Sequence, residues 1–275
     1  HDDGTVASGF PFIASDKFQS APSIIDNDGQ KIIFSGNNDN FLYAINGDGS
    51  LRFSLETNDR INTAPSFAEI NGEAHVLFGS KDDNIYIHDM DGNSLLNWPI
   101  SVNGNIEGGI IVSDLDGDNS IEIIAATDGG RIYAFNLDGS LFYHFPIDND
   151  LPYTGPPISM DIDGDGDLEI ISGALNSLVA IDVKNMGSSI NYWNMFKGNN
   201  KRNGYFIFPD ESECLVEMGD VNGDGITNIL DLVQISYYIL EFSTPEFSCA
   251  ADVNEDGTVD ILDLVSVVNV ILNGD

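Results

Sequence analysis

A pattern that returns every 43 to 46 residues constrains this chain more than any other feature. Four segments begin near Ser20, Thr63, Gly108 and Thr154. Each opens on a small-Pro or small-apolar step: Ala21-Pro22-Ser23, Ala64-Pro65-Ser66, Gly109-Ile110-Ile111 and Pro156-Pro157-Ile158. An acidic, glycine-containing loop comes next. It is followed by an apolar run: Lys31-Ile32-Ile33-Phe34, His75-Val76-Leu77-Phe78, Glu122-Ile123-Ile124-Ala125 and Glu169-Ile170-Ile171-Ser172. A turn then leads into alternating segments that start at Phe41, Ile85, Ile132 and Leu178. In three repeats an Asp-Gly pair follows, at Asp48, Asp91 and Asp138, and this pair favours the positive φ of tight hairpins.

Four short antiparallel strands per ~45 residues are the signature of a β-propeller blade. A β-sandwich or solenoid of unrelated strands is the alternative, and the regular period favours the propeller over it. The expectation is therefore a mainly β protein with about four blades, near 20–62, 63–107, 108–153 and 154–198. The stretch 1–19 adds a clue. Asp3-Gly4-Thr5-Val6 followed by Gly9-Phe10-Pro11-Phe12-Ile13 parallels Asp91-Gly92-Asn93-Ser94 followed by Asn97-Trp98-Pro99-Ile100. It reads as the last strand of an earlier blade, and so as part of a larger propeller and a longer polypeptide; a strand that closes a small ring is the rival. Ile190 to Phe196 reads as the outer strand of the fourth blade, and the basic segment from Trp193 to Tyr205 as the linker out of it.

Composition limits function. The 275 residues carry 45 acidic and 10 basic side chains, a formal charge of −35. Nucleic acid and anionic membrane surfaces require Lys and Arg, so neither is expected as a partner. No run approaches the ~20 apolar residues of a membrane-spanning helix. Bound cations fit the balance. Asp114, Asp116, Asp118 and Glu122 fall at positions 1, 3, 5 and 9 of one loop, and Asp161, Asp163, Asp165 and Glu169 repeat the spacing. Ca²⁺ takes six to eight oxygens at about 2.3–2.6 Å, and alternate carboxylates on a tight glycine turn supply them. The loops at Asp26 and Glu69 are degraded, and no tight ion is expected there. Blades with such loops resemble the FG-GAP repeats of integrin-like propellers, which implies an extracellular setting and names no activity.

Near Pro209 the period breaks and helical spacing appears. Two twelve-residue loops stand 32 residues apart. In the first, Asp220, Asn222, Asp224, Ile226 (through its carbonyl), Asn228 and Asp231 take positions 1, 3, 5, 7, 9 and 12. In the second the same positions are Asp252, Asn254, Asp256, Thr258, Asp260 and Asp263. Gly225 and Gly257 make the sharp turn at position 6. An amphipathic helix follows each loop. Residues 209–275 therefore resemble a dockerin, with Asp in place of Glu at position 12 and no recognisable helix entering the first loop. The resemblance implies calcium, a cohesin-like partner, and Ile229, Leu230, Ile261 and Leu262 at the partner-selecting positions. Those four are apolar, unlike the Ser/Thr pair of the best-known cellulosomal dockerins. The repeated Ile-Leu-Asp-Leu-Val could allow docking in two orientations. Folding of this module back onto its own propeller is the alternative. Cys214 and Cys249 each lie just ahead of a loop, at the mouth of a near two-fold pair, and a disulfide between them is expected; it requires an oxidising compartment.

No nucleophile elbow, zincin, P-loop or dinucleotide motif appears. Whether the chain is an enzyme stays open, with a non-catalytic role favoured. The reading is a secreted or cell-surface attachment region holding about four Ca²⁺, 1–208 propeller and 209–275 docking module. Two alternatives stand: the C-terminal part of a secreted polysaccharide-degrading enzyme or protease, and, more weakly, a glycan-binding propeller; Trp98, Trp193 and the Tyr and Phe residues could stack on sugars, but at the repeat positions packing between blades is the favoured reading.

Overall fold

The computed structural model describes residues 4–27, 29–190, 192–199, 201–207, 216, 218–240, 245, 247–254 and 258–273. The chain divides into two compact units, His1–Phe208 and Pro209–Asp275.

The first unit holds four sheets. Blade 1 contains β1 (Ser23–Asn27), β2 (Gln30–Gly36), β3 (Phe41–Asn46) and β4 (Leu51–Glu56). Blade 2 contains β5 (Ser66–Ile70), β6 (Glu73–Gly79), β7 (Asn84–Asp89) and β8 (Ile100–Ser101). Blade 3 contains β9 (Ile106–Ser113), β10 (Glu122–Thr127), β11 (Arg131–Phe135) and β12 (Ile147–Asp148). Among the described residues blade 4 has three strands: β13 (Ile158–Met160), β14 (Asp167–Ala174) and β15 (Ser177–Met186). Each is a simple antiparallel meander.

Stacking explains the sequence pattern. The second strand of each blade sits mid-sheet, and its two faces are covered, so β6 and β10 are buried almost end to end. That is why they read as apolar runs and not as alternation. Side chains from neighbouring sheets then merge into shared cores. One joins Phe34, Phe67, Phe78 and Ile123 across blades 1 to 3, and another joins Ile124 and Ile132 to Leu168 and Ile170 across blades 3 and 4. Serines stitch the inner strands: Ser23 Oγ donates to the Pro65 carbonyl and Ser66 Oγ to the Ile110 carbonyl.

The segment after blade 4 departs from expectation. Among the described residues, Ile190 and Tyr192 to Phe196 form no outer strand; Trp193 is buried and its carbonyl accepts the Val112 N–H at 3.0 Å. The Asn194 carbonyl accepts from Ser159 N–H at 3.0 Å and the Gly204 carbonyl from Ile24 N–H at 2.7 Å. Ile24, Val112 and Ser159 occupy equivalent places in the innermost strands of blades 1, 3 and 4. Phe67, the equivalent residue of blade 2, packs edge-on to Trp193 at 5.4 Å. The chain ends this run as β16 (Tyr205–Ile207), parallel to β1. A stretch read as outer strand and linker therefore lies along the inner edges of all four blades. The physical reason is hydrogen-bond accounting: innermost strands present N–H donors with no strand beyond them, and this segment supplies acceptors. Lys197 is buried in it, its Nζ donating to the Pro22 carbonyl.

In the second unit α1 (Ile229–Ile239) and α2 (Ile261–Asn273) are joined through a short 3₁₀ turn at Ser248–Ala251. Val221, Ile235, Ala250, Ala251 and Val267 form its core. Among the described residues no helix is long and apolar enough to cross a membrane.

Candidate metal centres and docking face

The two loops of the second unit are built alike. Asp231 Oδ2 accepts the N–H of Asn228 at 2.9 Å and its Oδ1 the N–H of Asn222 at 3.2 Å. Asp263 Oδ2 accepts from Asp260 at 2.8 Å and its Oδ1 from Asn254 at 3.1 Å. Both carboxylates are fully buried. Asn228 in turn accepts the Leu230 N–H at 2.8 Å, completing a capping box at the start of α1. Within the first loop Asp220 Oδ2 takes the Gly225 N–H at 2.9 Å, and Asp224 Oδ1 the Ile226 N–H at 2.9 Å. Asp256 and Cys214 lie outside the described residues.

These residues fit a divalent cation on two grounds. Asp220 Oδ1 is buried with no hydrogen-bond partner, an arrangement that costs free energy unless a ligand fills it. Residues 209–275 also contain 15 acidic side chains and no Lys, Arg or His. Buried carboxylates require a counter-charge, and the unit's own sequence offers none.

The blade loops differ from each other. In blade 3 the carboxylates of Asp114, Asp116 and Glu122 converge to within 4.8 Å, while Asp118 turns aside to accept the Ser120 N–H at 2.7 Å. Asp114 gathers the N–H groups of Gly117 and Asn119 at 2.7 and 2.9 Å, and Glu122 that of Leu115 at 2.7 Å. Burial pushes the Glu122 carboxyl up to about 8, with Asp116, Asp114 and Asp118 adding repulsion. In blade 4 Asp161, Asp163 and Glu169 converge, and Asp165, Asp167 and Glu169 form an overlapping group. Asp167 was not among the residues singled out by spacing. It is buried, its Oδ1 has no partner, and burial together with neighbouring Asp165 raises it to about 6. Its place in the unbroken alternation 161, 163, 165, 167, 169 was the available signal. Lys184 on β15 approaches Asp167 Oδ2 at 3.6 Å. The degraded loop of blade 1 carries its own cation, since Lys31 Nζ lies 2.7 Å from Asp26 Oδ2.

Ile229, Leu230, Ile261 and Leu262 are all exposed at the helix starts. Ile261 lines an apolar groove of about 290 Å³ together with Leu232, Val233, Leu264, Val265 and Val268. Trp98 and Trp193 are both buried in the core, which removes them as sugar-stacking platforms.

Comparison with known proteins found one family match. Residues 218–272 match the family model of the Dockerin type I domain. Dockerins are calcium-binding modules with paired EF-hand-like loops, and the second unit has that construction. No curated protein matches the sequence. Among solved structures, BamB from Moraxella catarrhalis is 15% identical, with a TM-score of 0.45 over 62% of this chain and 51% of that one. The V. cholerae biofilm matrix protein Bap1 is 24% identical, with a TM-score of 0.45 over 60% of this chain and 30% of Bap1. The Neurospora crassa Pan2 WD40 domain is 12% identical, with a TM-score of 0.43 over 63% and 49%. This chain thus spans about half or less of each of those chains.

Proposed function

We propose that this chain is a secreted, calcium-loaded attachment region, a propeller of FG-GAP type (1–208) followed by a dockerin module (209–275) that docks on a cohesin-like partner. The observation that carries it is the repeated loop-helix unit, which presents Ile229-Leu230 and Ile261-Leu262 to solvent beside buried Asp231 and Asp263. Exposed apolar side chains in such a cluster mark an interaction site. About four Ca²⁺ bind, one in each loop of the second unit and one each in blades 3 and 4. When bound, the cations supply the positive charge that lets these carboxylates stay ionised in a folded chain. The chain itself positions the oxygens, through Asp231 and Asp263 anchored on helix starts and Asp114 and Asp161 anchored on loop N–H groups.

A disulfide between Cys214 and Cys249 ties the module and fits an oxidising compartment; the absence of a free cysteine among the described residues supports it. Bait retention tests the function. The chain is immobilised and challenged with secreted and surface proteins of its source, with calcium and with chelator. Calcium-dependent capture of a cohesin-like protein supports the docking role. Equal retention under both conditions, or none in calcium, rejects it.

A further inference from the structure

The acidic loops of blades 3 and 4 are built alike and differ in one carboxylate. Alternate positions run Asp114, Asp116, Asp118, Ser120 and Glu122 in blade 3, and Asp161, Asp163, Asp165, Asp167 and Glu169 in blade 4. The backbone turns the same way in both. Asp114 takes the N–H groups of Gly117 and Asn119 at 2.7 and 2.9 Å, and Asp161 those of Gly164 and Gly166 at 2.6 and 3.1 Å. Glu122 and Glu169 each accept an N–H from across the loop, Leu115 at 2.7 Å and Ile162 at 2.8 Å. Asp118 accepts the Ser120 N–H at 2.7 Å, and Asp165 the Asp167 N–H at 3.2 Å. Where blade 3 has a hydroxyl, blade 4 has one more acid.

That acid is turned inward. β14 begins at Asp167, opposite Met186 of β15, and the residue is 8% exposed. Its Oδ1 is buried with no hydrogen-bond partner. Carboxylate oxygens of Asp165, Asp167 and Glu169 lie within 4.8 Å of one another. Asp161, Asp163 and Glu169 form the other such group, so Glu169 is common to both, and Asp165, which spacing assigns to the first, stands in the second. Lys184 does not account for the orphaned oxygen. Its Nζ lies 3.6 Å from the other oxygen of Asp167, Oδ2, and 4.0 Å from Asp165 Oδ2, and it is nearest to Asp182. Its side chain is 68% exposed. A buried carboxylate oxygen without a donor costs free energy unless a ligand fills it.

We propose that Asp165, Asp167 and Glu169 hold a divalent cation of their own, beside the one assigned to Asp161, Asp163 and Glu169, with Glu169 shared between the two. Donors that are all oxygen select a hard cation, and calcium is the ion to test. The inference extends the calcium reading above and adds a fifth ion to the chain. Charge supports it. One divalent ion offsets two of the five loop carboxylates, a second offsets two more, and Lys184 lies closest to a sixth, Asp182. The ammonium beside it makes the new site the weaker of the pair. Blade 3, with Ser120 in place of the extra acid, holds one ion.

Equilibrium dialysis of the full chain at saturating calcium, counting ions per chain, tests this. Asp167→Ser copies the loop of blade 3 and should bind one ion fewer than wild type. Asp161→Ser should also lose one, and the double variant two, with the β-sheet circular dichroism retained in each. Asp167→Asn keeps the shape of the side chain and should weaken the weakest blade ion about tenfold or more. A loss in Asp167→Ser with none in Asp161→Ser supports the new site and rejects the first one. A loss in Asp161→Ser alone leaves the first site standing and overturns this one. A double variant that loses no more than either single variant has one ion spread over both groups, which also overturns it, as does an unchanged affinity in Asp167→Asn.

Discussion

Asp231 Oδ2 accepts the backbone N–H of Asn228 at 2.9 Å, so one carboxylate both starts α1 and closes the first acidic loop. The start of α1 and the proposed metal loop therefore share one carboxylate. Asp231→Ala removes the N3 half of the capping box that Asn228 begins, about 1 kcal/mol, and one ligand of the proposed cation. The expected result is a drop in calcium affinity on the order of ten- to a hundredfold, with partial loss of helical circular dichroism. Calorimetric titration checks it; an unchanged affinity would place the ion elsewhere.

Chelation should act unequally on the two units. The second has 15 carboxylates, no basic side chain and a small core, whereas the first has extensive shared cores between its sheets. Calcium at a hundredfold excess over its Kd contributes about 2.7 kcal/mol, a large share of a small domain's stability. The expected outcome is a helical transition that shifts down strongly in chelator while the β-sheet transition shifts less. Two-wavelength thermal melts decide this.

Glu122 gives a pH prediction. Without metal its carboxyl titrates near 8 in the folded chain, chiefly through burial, against an ordinary value of 4.5. Between those values the folded state binds a proton that the unfolded state has released, so metal-free stability falls as pH rises through that window. Glu122→Gln removes the slope, and it also weakens calcium binding in blade 3. Melting temperatures at pH 5 and 8 in chelator test the first effect. A wild-type slope of opposite sign would refute it.

Trp193 packs on Phe67 and Phe206 and presents its carbonyl to blade 3. Trp193→Ala should cost about 3–5 kcal/mol and weaken protection of the innermost strands, read by hydrogen exchange at Ile24, Val112 and Ser159. If the residue belonged to a peripheral linker, neither would change.

The near-identical loop-helix units predict redundancy at the docking face. Leu230→Asp or Leu262→Asp alone should leave partner capture largely intact, because the other half can be used. The double variant should abolish it. Loss from one single variant would show that only one orientation docks.

Periodicity in the sequence determined the blades. Side chains on stacked sheets must repeat in kind, so the apolar runs at Ile32, Val76, Ile123 and Ile170 mark the second strands in the sequence itself. The twelve-residue loops were equally legible, because a cation fixes its oxygen donors at set spacings, and Asp231 and Asp263 also obey the local rules of helix capping. Tertiary structure alone decided the rest. The aromatic stretch around Trp193 reads as an outer strand, yet it lies along the inner edges, because unpaired N–H groups of Ile24, Val112 and Ser159 needed acceptors from a distant part of the chain. Asp118 left its cluster and Asp167 joined one, since loop backbone geometry, and not spacing, aims a carboxylate. Leu178 reads like Leu42, Ile85 and Ile132 in sequence, yet it is exposed where those three are buried. Spacing specifies which residues are alike; which of them find a neighbour depends on contacts between segments that no local pattern encodes.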